Sequence, residues 1–158
     1  MNVSAAFDLC RQAADSDTIK YLIGGIMEYK VKEMHDGWIF RRGDIYLVSL
    51  DPVIGSEQGG DRPVVNLQNN TANFYSTLIW GLPVTSKIKR KDLPTHVMIG
   101  REGNLRKPSM VLVEQPKSLD KRRIIGYIGH LSSKTMDRIT ESVARHVGII
   151  IPEEMEAP

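Results

Sequence analysis

The stretch DIYLVSL, residues 44–50, stops at Asp51-Pro52. It is rich in β-branched, aliphatic and aromatic residues, too short for an average helix, and closed by a turn signal, so it reads as a β-strand. Similar stretches flank it. PVVNLQ (63–68) stops at Asn69-Asn70, and TLIWGL (77–82) runs on towards Val84-Thr85. HVMI (96–99), SMVLVEQ (109–115) and GYIGHL (126–131) follow. Short strands broken by Gly, Pro and Asn predict a small closed or half-closed barrel, which removes the exposed edges of an open sheet. After them, Ser132 or Ser133 can cap a helix on which Met136, Ile139, Val143 and Val147 step by 3, 4 and 4 residues. That spacing places them on one face as a seam against the barrel, and Gly148 is a natural stop.

Residues 1–40 have a helical rhythm. Val3, Phe7, Leu9, Cys10, Ala13 and Ala14 predict one helix, and a second is predicted over residues 18–34, capped by Asp17 and weakened at Gly24-Gly25. The chain therefore divides into a helical extension (1–40), a main domain (41–150) and an acidic tail (151–158). The 158 residues fit one domain with an appendage. With 41% hydrophobic and 25% charged residues the composition is that of a globular chain, which excludes wholesale disorder. No apolar run reaches membrane-spanning length, and the N-terminus lacks the pattern of a secretory signal. The single cysteine, Cys10, excludes an internal disulfide framework and points to a reducing, cytoplasmic setting.

Net charge is +2, but residues 43–131 hold twelve Lys/Arg against eight Asp/Glu. This permits an anionic partner without demanding one. The four histidines show no metal-ligand spacing, and no phosphate-binding glycine loop precedes a helix. Three polar groups stand out. Gly55-Ser56-Glu57-Gln58-Gly59-Gly60 links two strands and leads into Asp61-Arg62-Pro63. The Arg62 fork suits a phosphate, although on composition alone a surface pair with Asp61 or Glu57 is the simpler reading. Thr85-Ser86-Lys87 ends an apolar strand; its hydroxyls either finish the strand or converge with Arg62. Lys87-Ile88-Lys89-Arg90-Lys91 is either a track for a nucleic-acid backbone or a solvated basic loop.

Taken in order, Arg42-Gly43-Asp44-Ile45-Tyr46, the Gly55-to-Val64 segment, Gln68-Asn69, Thr85-Ser86, Leu93-Pro94-Thr95-His96-Val97, Glu114-Gln115 and Gly129-His130-Leu131-Ser132 resemble a MazF/PemK-type toxin over about residues 41–148. The resemblance implies an α+β fold: an SH3-like β-barrel with a C-terminal helix, of the CcdB/PemK-like kind. It implies a homodimeric toxin of a type II toxin–antitoxin system that cuts single-stranded RNA, often mRNA, without a metal or other cofactor. A cognate antitoxin is the implied protein partner. Carried onto this chain, the family's catalytic pair falls on Arg62 and Thr85.

The chemistry implied is attack by the RNA's own 2′-OH, leaving a 2′,3′-cyclic phosphate and a 5′-OH. Arg62 suits charge stabilisation better than proton transfer, because a guanidinium is too basic to shuttle protons. Thr85 is expected to hold the phosphate or the 2′-OH, and Glu57 is the nearest candidate base. Ser56, Gln58, Asn69 and Gln115 offer donors and acceptors for unstacked bases, with Ser86, Lys87 and Lys89 on the backbone track. Asn66, Trp80, Pro83 and the first 40 residues depart from the usual pattern. The competing readings are a gyrase-poisoning protein and a catalytically silent binder on the same scaffold.

Overall fold

The computed structural model describes residues 18–23 and 27–150. Nine strands make up the sheet of these residues: β1 (Thr18–Ile23), β2 (Met27–Lys32), β3 (Asp44–Ser49), β4 (Asp61–Asn66), β5 (Leu78–Thr85), β6 (His96–Gly100), β7 (Ser109–Leu112), β8 (Lys117–Asp120) and β9 (Ile124–His130). Two helices join them, α1 (Asn70–Tyr75) and α2 (Ser133–His146). Every pairing is antiparallel, in the order β1-β2-β9-β3-β4-β5-β7-β6, with β8 added to β5. The fold is an SH3-like barrel with a C-terminal helix.

The six strands read from the sequence all form, with ends shifted by a few residues. β5 explains the curl. It pairs with β8 through Leu78, Ile79, Trp80 and Gly81, then with β7 through Val84 and Thr85. Pro83 sits at this change of partner while lying opposite Val64 of β4. A residue without a backbone N–H is tolerated at such a corner. The main core draws on Ile45, Leu47, Val65, Leu82, Val111 and Ile128, with Met136 and Ile139 of α2 closing it.

The helix predicted over residues 18–34 is not formed. β1 and β2 make a hairpin there, pairing Thr18 with Lys32 and Ile23 with Met27. Tyr29 and Val31 are buried while Lys30 and Lys32 are exposed, so the governing period is two, not 3.6. Tyr29 and Val31 join the main core, and Lys32 pairs with Tyr127 of β9. Gly126 makes this approach possible: a methyl group there would overlap Val31 Cγ1 and the Lys32 carbonyl. The helix read over residues 3–14 and the acidic tail lie outside the described residues.

α2 forms as predicted, with Ser132 accepting from the Thr135 N–H at 3.3 Å and Gly148 at φ +77° after it. Val147 is a correction. It is the C-cap and stands exposed, so the buried seam ends at Val143. Asn66 occupies its apolar strand fully buried. Its amide donates to the Arg41 carbonyl and Asn73 Oδ1, and its oxygen accepts from the Gln68 N–H.

Candidate active site

The loop of residues 50–60, between β3 and β4, is closed at its base by backbone and side chain together. The Leu50 N–H donates to the Gly60 carbonyl at 3.2 Å, and the Gly60 N–H donates to Asp51 Oδ1 at 2.8 Å. Arg62 then leaves at the start of β4, opposite Val48. Its Nε donates to the Gly59 carbonyl and its terminal nitrogen to Gln58 Oε1, both at 2.6 Å. The loop itself thus supplies partners for the fork, while Glu57 pairs with Lys117.

Gln58 is held in turn, its backbone N–H donating to Gln115 Oε1 at 2.8 Å. Burial pushes the Arg62 guanidinium below its ordinary pKa, opposed by Tyr29 and Asp51. The group nevertheless keeps its charge at neutral pH. Tyr29 senses Arg62 reciprocally: burial raises its phenol pKa and the guanidinium partly offsets that.

β4 and β5 pair Val64 with Pro83, Val65 with Leu82 and Asn66 with Gly81. Arg62 precedes Val64 on β4 by two residues, and Thr85 follows Pro83 on β5 by two, where β5 has taken up β7 and Thr85 pairs with Met110. Thr85 is half-buried; its oxygen accepts the Lys87 N–H at 3.1 Å, which leaves the hydroxyl hydrogen available to donate.

Beside the Gly55–Gly60 loop lies a cavity of about 390 Å³ lined by Ile54, Ser56, Glu57, Glu114, Gln115 and Lys117, among others. Glu57 is bound to Lys117 at 2.9 Å, and that hydrogen bond and charge hold its carboxyl below the usual pKa. Two further groups were not singled out as site residues from the sequence. His96 Nδ1 stands 2.9 and 2.8 Å from the Lys89 and Arg90 carbonyls, so it carries the hydrogen. Its Nε2 faces Glu114 Oε1 at 3.2 Å. Glu114 Oε2 is buried and has no hydrogen-bond partner among the described residues. An unmet acceptor at a cavity wall is suited to an amino group brought by a ligand.

The structure therefore gathers Ser56, Glu57, Gln58, Arg62 and Gln115 around the loop and cavity. Ser86, Lys87 and Lys89 continue from β5, with Lys87 and Lys89 exposed. Asn69 stands apart. It lies beyond the other end of β4, roughly 20 Å from Arg62 at strand rise, and its oxygen caps α1 by accepting the Ala72 N–H at 2.8 Å. Among the described residues no group of three or more His, Cys, Asp or Glu is arranged to hold a metal ion.

A family description, PemK-like, MazF-like toxin of type II toxin-antitoxin system, matches residues 41–147. An endoribonuclease MazF of Staphylococcus saprophyticus is 42% identical over 112 residues, covering 70% of this chain and 93% of that protein. Endoribonuclease EndoA of Bacillus subtilis is 38% identical over 113 residues, covering 71% and 97%. Among solved structures, a MazF from Deinococcus radiodurans superposes with a TM-score of 0.60 at 25% identity, covering 70% of this chain and 98% of that one. A mycobacterial endoribonuclease solved with its cognate antitoxin gives 0.59 at 24% identity, covering 71% and 98%. With the ordered motifs, the barrel and the match across residues 41–147 in agreement, the chain belongs to the PemK-like, MazF-like family of type II toxins.

Proposed function

We propose that this protein is an endoribonuclease toxin that cuts single-stranded RNA, mRNA in particular, at short sequences. The observation that carries the reading is the Arg62 fork, fixed by the Gly59 carbonyl and Gln58. In the reaction the substrate 2′-oxygen bonds to phosphorus and the bond from phosphorus to the 5′-oxygen breaks. The 2′-OH proton leaves to a base, and the departing 5′-oxygen takes one up. The products are a 2′,3′-cyclic phosphate and a 5′-OH.

Arg62 stabilises the charge gathering on the phosphoryl oxygens, a contribution of about 3–4 kcal/mol for one well-aimed donor. Thr85 donates its hydroxyl to the phosphate or receives the 2′-OH. Glu57 is the proposed proton acceptor, although its tie to Lys117 weakens it as a base. Bases splayed into the adjoining cavity would be read by Ser56, Gln58, Gln115 and Glu114, with Ser86, Lys87 and Lys89 along the backbone. Asn69 serves instead as a helix cap.

The toxin domain in this reading spans residues 41–150, with residues 1–40 as an appendage and 151–158 as an acidic tail. The working unit is a cytoplasmic homodimer, held in check by a cognate antitoxin across the basic rim. Exposed Phe74 and Tyr75, edge to face at 4.9 Å, and outward Leu78 and Trp80 supply apolar surface for self-association. No helix among the described residues is long and apolar enough to cross a membrane.

The test is purified protein on a long single-stranded RNA containing EDTA. Cleavage that persists and is lost in Arg62→Ala supports the reading. Cutting that survives a deoxyribose at the scissile position overturns 2′-OH attack. Intact RNA together with inhibited gyrase favours the binding-protein alternative.

A further inference from the structure

The turn of residues 113–116 joins β7 to β8 and is fixed to the barrel at its start. Val113 is 1% exposed, and its N–H donates to the Thr95 carbonyl at 2.9 Å. The next two residues reach two different loops. Gln115 Oε1 accepts the Gln58 N–H at 2.8 Å, so it grips the backbone of the loop that holds the Arg62 fork. Gln58 Oε1 and the Gly59 carbonyl receive the guanidinium, both at 2.6 Å. Lys117, two residues further on, ties the same loop through Glu57 at 2.9 Å.

Glu114 serves the other loop. Its Oε1 meets His96 Nε2 at 3.2 Å, and His96 Nδ1 reaches the Lys89 and Arg90 carbonyls at 2.9 and 2.8 Å. The His96 side chain is only 9% exposed, which leaves it little room to swing. Arg90 has φ +46°, a left-handed conformation that few residues other than glycine adopt, so the shape of the 87–91 loop depends on contacts made to it from outside. Both loops are therefore held by consecutive residues of one anchored turn, and their offset is set by that turn rather than by either loop.

We propose that Glu114 and Gln115 form a positioning step, which holds the Arg62 loop and the basic 87–91 loop in one frame so that a single RNA strand meets both at a fixed spacing; this rests on the ribonuclease reading above. Neither contact involves the reacting atoms. Gln115 acts on Arg62 through the Gln58 backbone, and Glu114 acts on the basic loop through His96. Donors fixed before the substrate arrives need no reorganisation during the reaction.

The experiment pairs amide hydrogen exchange of the full chain with single-turnover cleavage of RNA in EDTA. Gln115→Leu should speed exchange of the Gln58 N–H about fivefold or more and leave the Leu93 N–H, which donates to the Arg90 carbonyl, at wild-type protection. Glu114→Leu should do the reverse. Exchange in β3 and β9 is the control for folding. Gln115→Leu should also lower kcat about tenfold in the wild-type background but twofold or less in Arg62→Ala, because its effect passes through that guanidinium. Glu114→Leu should instead raise KM severalfold. Gln115→Glu and Glu114→Gln, which keep a polar atom in place, should return exchange most of the way to wild type. A tenfold loss that persists in Arg62→Ala would mean that Gln115 touches the RNA itself, and would overturn its positioning role. Unchanged exchange at both loops in the two Leu variants would overturn the step altogether. If the wild-type protein leaves RNA intact, the ribonuclease reading falls, and the exchange results alone decide whether the step holds the loops.

Discussion

Gln58 receives the Arg62 guanidinium at 2.6 Å while its own backbone N–H is anchored to Gln115. The fork is thereby aimed by the loop it emerges from. Gln58→Ala should leave the charge in place but free the fork, lowering kcat about tenfold, whereas Arg62→Ala should lower it about 10²–10³-fold. Arg62→Lys should resemble the alanine variant more than wild type, because an ammonium cannot make the paired contact. Single-turnover cleavage of a fluorogenic RNA measures all three; equal rates for Gln58→Ala and wild type would refute the aiming role.

The Glu57–Lys117 pair gives a pH prediction. Lys117 lowers the Glu57 pKa, so the carboxylate persists into acid and the pair is lost only as pH falls through that depressed value. If Glu57 accepts the proton, the acid limb of the cleavage profile should lie below the ordinary carboxylate range of about 4.3. Lys117→Ala should move that limb up towards it. A limb unmoved by this variant, and unmoved by Glu57→Gln, would remove Glu57 from proton transfer.

His96 fixes the basic loop from below through the Lys89 and Arg90 carbonyls. His96→Ala should raise KM for RNA severalfold at little change in kcat, since it acts on the loop rather than on the phosphate. His96→Asn, which keeps an N–H near the same place, should recover part of the loss. A selective fall in kcat would instead place the imidazole in the chemistry.

The hairpin should be an energetic part of the barrel. Val31→Ala removes buried methyl groups and should cost about 1–3 kcal/mol of unfolding free energy. Gly126→Val should displace β2 while sparing β3, β4 and β5. Chemical denaturation and amide exchange over residues 27–32 check both; unchanged stability in each would mean that the hairpin rests loosely on the surface.

Much of this was legible in the sequence where local pattern and tertiary demand agree. The strand at residues 44–50 and the helix capped by Ser132 carry both the right period and the right stops. β8 was not legible, because Lys117, Ser118, Leu119 and Asp120 offer a single apolar residue and its pairing is supplied by β5. α1 is six residues long and turns Phe74 and Tyr75 outward, against any amphipathic pattern. The hairpin misled because Lys, Glu, Met and Leu favour helices, while Gly24-Gly25 reads equally as a hairpin signal. In the site, Arg62 was singled out by the resemblance, since the Arg-Pro step and the glycines alone left it a surface residue. The unmet oxygen of Glu114 and the grip of His96 were not, since both exist only once β6, β7 and the basic loop meet.

The absence of a side chain at Gly126 bears on how far this protein can be cut back. A fragment begun at Arg41, the size of its compact relatives, would keep the bare furrow over that glycine and lose the two residues that fill it. The backbone groups of β9 that face β2 would then be open to any passing strand. Trimming to the shared portion should therefore yield a chain prone to clump, and the hairpin becomes a condition of solubility for this barrel as much as an ornament upon it.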